Sequence, residues 1–196
     1  MRFDAAIFDI DNVLVDTRAS YTDCIRKTVE TYLEKILGFQ PSRTPLLTRE
    51  DVENLKSLGG FNDDWDTCYG LLLYLLSLKT KRRTINHLRK VKNIPPLLSS
   101  PHKWERIKVG SGKLNLLGVK GAEKLWGKQK KVSISKIENI FQQFYLSEFV
   151  WNEKLLISKA FLKQLKRAGL KIGIVTGRNR EEAGFALRRF QIDSLI

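Results

Sequence analysis

Apolar residues follow two rhythms along this chain, and the switch between them predicts its elements. Phe3 to Ile10, with Ala5, Ala6, Ile7 and Phe8 at its centre, is a short apolar run that ends in acids, as expected of a buried strand in a parallel sheet. From Tyr21 to Leu37 the apolar positions recur with a helical period at Tyr21, Ile25, Val29, Tyr32, Leu33 and Ile36, and Gly38 closes the pattern. A second helix is predicted to open at Thr48, where Thr48 and Asp51 have capping-box spacing, and to end before Gly59-Gly60. Trp65 to Leu78 reads as a third, strongly apolar helix.

Between about Asn93 and Lys131 the rhythm fails among prolines and glycines, which predicts a long irregular segment. Periodicity returns with a capping-box pattern at Ser135 and Glu138 and an apolar stripe through Ile137, Ile140, Phe141, Phe144 and Tyr145. A further helix is expected over Glu153–Ala168, with Gly169 at its end, followed by a buried strand over Lys171–Val175. The last helix, Arg180–Phe190, has Asn179 and Glu182 at cap and N3 spacing.

Composition narrows the class. With 196 residues and 42% hydrophobic content the chain can bury a core. The first apolar stretch is interrupted by Asp4, Asp9 and Asp11, unlike a signal peptide, and the longest apolar segment, Tyr69–Leu78, is too short to span a bilayer. A cytoplasmic protein is the expectation. Cys24 and Cys68 lack metal-ligand spacing and read as small buried hydrophobes, and two histidines support no zinc site. Much of the net charge of +14 lies in Lys79–Arg83, Arg89–Lys92 and Lys128–Lys131. No aromatic residues are interleaved there as in a stacking platform for single strands, so these runs read as solvated basic faces, with nucleic acid not expected as a partner.

Two predicted strands run into loops rich in chemistry, and in open parallel sheets ligands sit beyond the carboxyl ends of strands. After the first come Asp9 and Asp11, whose side chains point the same way wherever the chain is extended. Two close carboxylates repel unless a cation joins them, which suits a hard, oxygen-seeking ion such as Mg2+; a turn with solvated acids is the plain alternative. After the second come Thr176, Gly177 and Arg178 at a helix N-terminus, where a hydroxyl, backbone N–H groups and the helix dipole favour a phosphate oxygen. A simple helix cap would explain the same residues. The segment Gly110-Ser-Gly-Lys113 is not a phosphate loop, because Ile107 and Leu114 replace the glycine and hydroxyl that such a loop needs.

Taken together, the two loops resemble a known family. Residues 5–16, Ala-Ala-Ile-Phe-Asp-Ile-Asp-Asn-Val-Leu-Val-Asp, resemble motif I of the haloacid dehalogenase superfamily, and Ile174-Val-Thr-Gly-Arg178 resembles its motif II. Asn12 replaces the more usual glycine, a substitution that is tolerated because Asn can adopt a glycine-like backbone conformation. The resemblance implies an α/β fold: a Rossmann-like parallel-sheet core over 1–17 and 152–196, with residues 18–151 inserted as a mainly helical cap of the subfamily IA type. It implies Asp9 as nucleophile, Asp11 as acid and base, Mg2+ at Asp9 and Asp11, and a small phosphorylated metabolite held by Thr176, Gly177 and Arg178. Asn62, in a segment similar to an Asn-Asp-Trp stretch of one branch, is a candidate substrate contact. The implied activity is phosphomonoester hydrolysis through an aspartyl-phosphate. Phosphomutase-type transfer, or a non-catalytic anion- or nucleic-acid-binding role, is the rival. The pattern also calls for a lysine and an acidic pair after motif II. Lys163, Lys166 and Lys171 precede it, so the expectation is a truncated chain of doubtful activity, with the remainder supplied by another chain as the alternative.

Overall fold

The computed structural model describes residues 3–61, 63–78, 83–92 and 118–196. The chain divides into two units, one formed by residues 1–20 and 151–196 and the other by residues 21–150. Asn62, most of the Lys79–Arg83 run and the Gly110–Lys113 segment lie outside the described residues.

The first unit is α/β. Strand β1 (Ala5–Phe8) pairs in parallel with β4 (Lys171–Ile174), Ala6 opposite Ile172 and Phe8 opposite Ile174. Between them in sequence lie a two-residue antiparallel pair, β2 (Val15–Asp16) with β3 (Lys154–Leu155), and helix α7 (Lys159–Arg167). Helix α8 (Arg180–Arg189) follows β4. Phe8, Ile172 and Ile174 share one sheet face and join a core made with Ile10, Leu14, Val15, Leu162, Leu165 and Leu187. The two strands were expected to be buried, and only this face is. Ile7, at 68% exposure, and Val175, at 67%, lie on the other. Side chains alternate across a strand, so covering one face leaves every second residue in solvent.

The expected Glu153–Ala168 helix starts late. Lys154–Leu155 is drawn into pairing with β2, Leu156 N–H extends it to the Leu14 carbonyl (2.8 Å), and the helix opens only after Ser158, whose hydroxyl accepts the Phe161 N–H (3.2 Å). Gly169 sits at φ +84, as a helix-ending glycine should.

The second unit is helical: α1 (Tyr21–Thr31), which widens into a π turn over Tyr32–Ile36, then α2 (Arg49–Ser57), α3 (Asp64–Ser77), α4 (Ile85–Val91), α5 (Gly118–Trp126) and α6 (Ile134–Ser147). The Thr48 capping box forms in full, and Asp51 also pairs with the Lys92 ammonium. The cap of α6 is Ser133, not Ser135. Tyr32 explains the shift: its hydroxyl accepts the Ser133 N–H (2.9 Å) and donates to the Lys131 carbonyl (3.0 Å), fixing the chain two residues earlier.

Helix α5 falls where the sequence implied irregular structure. Its glycines hid the period, yet Gly118 has a specific reason to be glycine: φ is +50, and a Cβ there would come 3.0 Å from the Gly60 carbonyl oxygen. Tyr21 and Tyr145 stack at 4.8 Å between α1 and α6, and Trp65 meets Phe141 edge-on at 6.2 Å. Cys24 and Cys68 are buried, and burial pushes both thiols well above their usual range, which makes them inert core residues. Arg89 and Lys128, from the basic runs, have local partners: Arg89 the Pro45 carbonyl (2.9 Å) and Lys128 the Glu123 carboxylate (3.6 Å). Among the described residues no helix is long and apolar enough to cross a membrane.

Candidate active site

Both candidate loops belong to the α/β unit, at the carboxyl ends of its two parallel strands. Past Phe8 the chain turns sharply, with Leu14 and Val15 N–H both donating to the Ile10 carbonyl (3.0 and 2.8 Å) and Asn12 N–H to the Val15 carbonyl (2.7 Å). The turn needs a left-handed residue, and Asn12 supplies it at φ +57. This is the glycine-like conformation inferred from sequence. The Asn12 side-chain oxygen also accepts from the Thr17 N–H and hydroxyl, each at 3.4 Å.

Ile10, Leu14 and Val15 anchor the turn in the core, whereas Asp9 on one side of Ile10 is exposed and Asp11 on the other is partly so. Each acid has one oxygen engaged. The Ile10 N–H donates to Asp9 Oδ1 at 2.6 Å, and Arg178 donates twice to Asp11 Oδ1, from Nε at 2.9 Å and Nη2 at 2.7 Å. Among the described residues neither Oδ2 has a hydrogen-bond partner. The mutual repulsion expected of the two acids is therefore relieved at Asp11 by a guanidinium of the chain itself.

The second loop follows β4. The half-buried Thr176 accepts the Arg178 N–H on its hydroxyl oxygen (3.2 Å), and Asn179 caps α8 by accepting the Glu182 N–H (2.9 Å). Gly177 is exposed, has ordinary backbone angles, and would carry a Cβ with no neighbour within 4 Å, so nothing within the chain demands glycine there. A ligand that approaches the backbone closely would.

Arg178 sits differently from the substrate contact inferred for it. Its side chain is 1% exposed, with Nη2 also 2.9 Å from Glu153 Oε1 and Nη1 3.5 Å from Oε2. Glu153 itself is fully buried. Sequence reading placed Glu153 at the start of a helix and gave it no role. The only signal available was a glutamate beside an apolar run, and its partner lies 25 residues further on. Of the lysines before motif II, Lys166 turns to the C-terminal residues, where its Nζ donates to the Ser194 carbonyl at 3.1 Å.

Comparison with known proteins bears on the fold and the family. No curated protein matches the chain. Among solved structures, phosphatase Tt82 from Thermococcus thioreducens superposes with a TM-score of 0.62 at 22% identity, over 94% of this chain and 68% of that one. A protein of Lactobacillus delbrueckii subsp. bulgaricus assigned as a phosphoglycolate phosphatase superposes with a TM-score of 0.51 at 16% identity, over 99% of this chain and 63% of that one. At these identities the likeness is one of fold. The sequence model of the haloacid dehalogenase-like hydrolases matches residues 3–196, nearly the whole length, and the chain belongs to that hydrolase family.

Proposed function

We propose that the site hydrolyses a phosphomonoester of a small metabolite through an aspartyl-phosphate on Asp9, with Mg2+ as cofactor. The observation that carries this reading is the pair of acids that each keep one free carboxylate oxygen, set at the strand end beside a loop with a threonine hydroxyl and an unhindered glycine. Family membership and the two phosphatase-named neighbours of the fold support it.

Mg2+ suits the donors. It is commonly bound through one or two carboxylates, retained waters and the substrate phosphate, not through a full protein cage. Among the described residues there is no cluster of three or more His, Cys, Asp or Glu, and the all-oxygen set here is of that sparse kind. The Asp9 carboxylate and the Asp11 backbone carbonyl would hold the ion, which supplies charge neutralisation at the phosphoryl oxygens.

The chain's own residues do the rest. Asp9 Oδ2 forms a bond to phosphorus as the ester oxygen departs, and Asp11, which enters this step protonated on Oδ2, delivers that proton to the departing oxygen. Asp11 then takes a proton from water, whose oxygen attacks the phosphorus and restores the Asp9 carboxylate. The Thr176 hydroxyl and Gly177 N–H hold phosphoryl oxygens meanwhile. The test is release of nitrophenol from p-nitrophenyl phosphate. Turnover that needs Mg2+, stops with EDTA and falls about a thousandfold or more in Asp9→Asn is expected. Wild-type turnover in that variant would end the nucleophile assignment.

A further inference from the structure

We propose that Arg178 and Glu153 form a positioning device for Asp11: Glu153 holds the buried guanidinium, and the guanidinium holds the Asp11 carboxylate by Oδ1 alone so that Oδ2 stays free for proton transfer. This deepens the phosphatase reading and rests on it. It replaces the substrate-binding role that the sequence pattern attached to Arg178 and gives a role to Glu153, which no motif marks.

The geometry is specific. Both Arg178 donors that reach Asp11, Nε and Nη2, converge on the same oxygen, at 2.9 and 2.7 Å. A bidentate pair would have engaged both oxygens, one to each donor. Nη2 is shared with Glu153 Oε1 at 2.9 Å, so the two carboxylates are coupled through one nitrogen.

Charge alone does not account for this. Asp11 keeps 32% of its side-chain surface and could be solvated without help, whereas Arg178 and Glu153, at 1% and 0%, could not. Two desolvated ions are retained only where each satisfies the other. The Arg178–Glu153 pair is therefore a rigid mount, and what it mounts is the half-exposed acid.

Glu153 is itself braced. The Ser20 hydroxyl lies 3.4 Å from Oε1, and the Glu153 carbonyl accepts from Arg189 Nη2 (3.2 Å), which also binds the Trp151 carbonyl (2.8 Å). Arg189 in turn lies over the rings of Trp151 and Phe190, at 5.3 and 4.7 Å. Arg178 precedes α8 and Arg189 ends it, so one helix fixes both ends of the mount. Small misplacements of a reacting group are costly to rate, so such rigidity has a kinetic consequence.

The experiment compares the unsubstituted chain with Arg178→Lys and Glu153→Gln, by crystal structure, melting temperature and Mg2+-dependent hydrolysis of p-nitrophenyl phosphate. Lysine keeps the charge and loses the planar fork. Asp11 should leave its position in Arg178→Lys, with kcat lower by about tenfold or more and KM within about twofold. Glu153→Gln, the milder change should Arg178→Lys fail to fold, should lower kcat in the same sense by a smaller factor. An unmoved Asp11 in Arg178→Lys overturns the proposal, as does a fall in melting temperature with kcat unchanged. A raised KM at unchanged kcat also overturns it and returns Arg178 to the substrate. A wild-type chain with no turnover would sink the phosphatase reading, while the position of Asp11 in the crystals would still decide this one.

Discussion

In the helical unit Ile25, Leu33, Leu55, Leu71, Leu72 and Phe141 are sealed from solvent on all sides, whereas the sheet of the α/β unit leaves Ile7 and Val175 at 68% and 67% exposure on a single face. The difference follows from the elements. Helices that each carry an apolar stripe can close around one interior. A parallel pair with α7 and α8 packed on one face has, among the described residues, no partner for the other, although its residues are as apolar as those of a strand covered twice. The site occupies the unit with less support, and there its stiffness comes from polar contacts instead: the Asn12 turn, the Thr176 loop and the buried Arg178–Glu153 pair.

Substitutions can break or sharpen this contrast. Phe141→Ala empties the aromatic centre of the helical unit and should cost about 3–5 kcal/mol in urea unfolding. Gly70→Ala should cost about 1–3 kcal/mol, because a Cβ there would lie 2.6 Å from the buried Phe61 ring. Thr48→Ala removes the α2 cap and should cost about 1 kcal/mol. Ile7→Ser, on the open sheet face, should change stability by less than about 0.5 kcal/mol, even though it replaces a large apolar residue. A cost above about 1.5 kcal/mol for Ile7→Ser would show that this face is covered in solution.

The smallest effect is electrostatic. Arg49, and then Arg26, hold the Asp23 carboxyl below its usual value against the opposing effect of burial. The folded state therefore binds this proton less tightly than the unfolded chain does. The stabilisation is present above the unfolded carboxyl value of about 4 and is lost as pH falls below it. Asp23→Asn should flatten the acid limb of the melting curve by a few tenths of a kcal/mol, since the pair is partly solvated.

Local signals carried most of what was legible beforehand. The Thr48–Asp51 capping box, the Asn179 cap, the strand before each loop and the left-handed Asn12 all depend on residues within a few positions of one another. What escaped depends on distant partners. Lys154–Leu155 looks helical until β2 pairs with it, and Ser133 outcompetes Ser135 because of a tyrosine 101 residues away. Helix α5 was hidden by glycines, one of which answers to Gly60. At the site, both acids and the Thr176 loop were evident as chemistry, but the burial of Arg178 against Glu153 was not. An arginine beside a phosphate motif reads as a ligand until its side chain is found inside.

The most direct test of the central claim is to quench the chain in acid during turnover of p-nitrophenyl phosphate with Mg2+ and to map its peptides by mass spectrometry. One acid-stable, base-labile phosphoryl group on Asp9, absent without Mg2+ and absent from Asp9→Asn, is the expected result. Nitrophenol release with the phosphoryl group on any other residue, or with none on Asp9 under conditions that trap acyl phosphates, would contradict it.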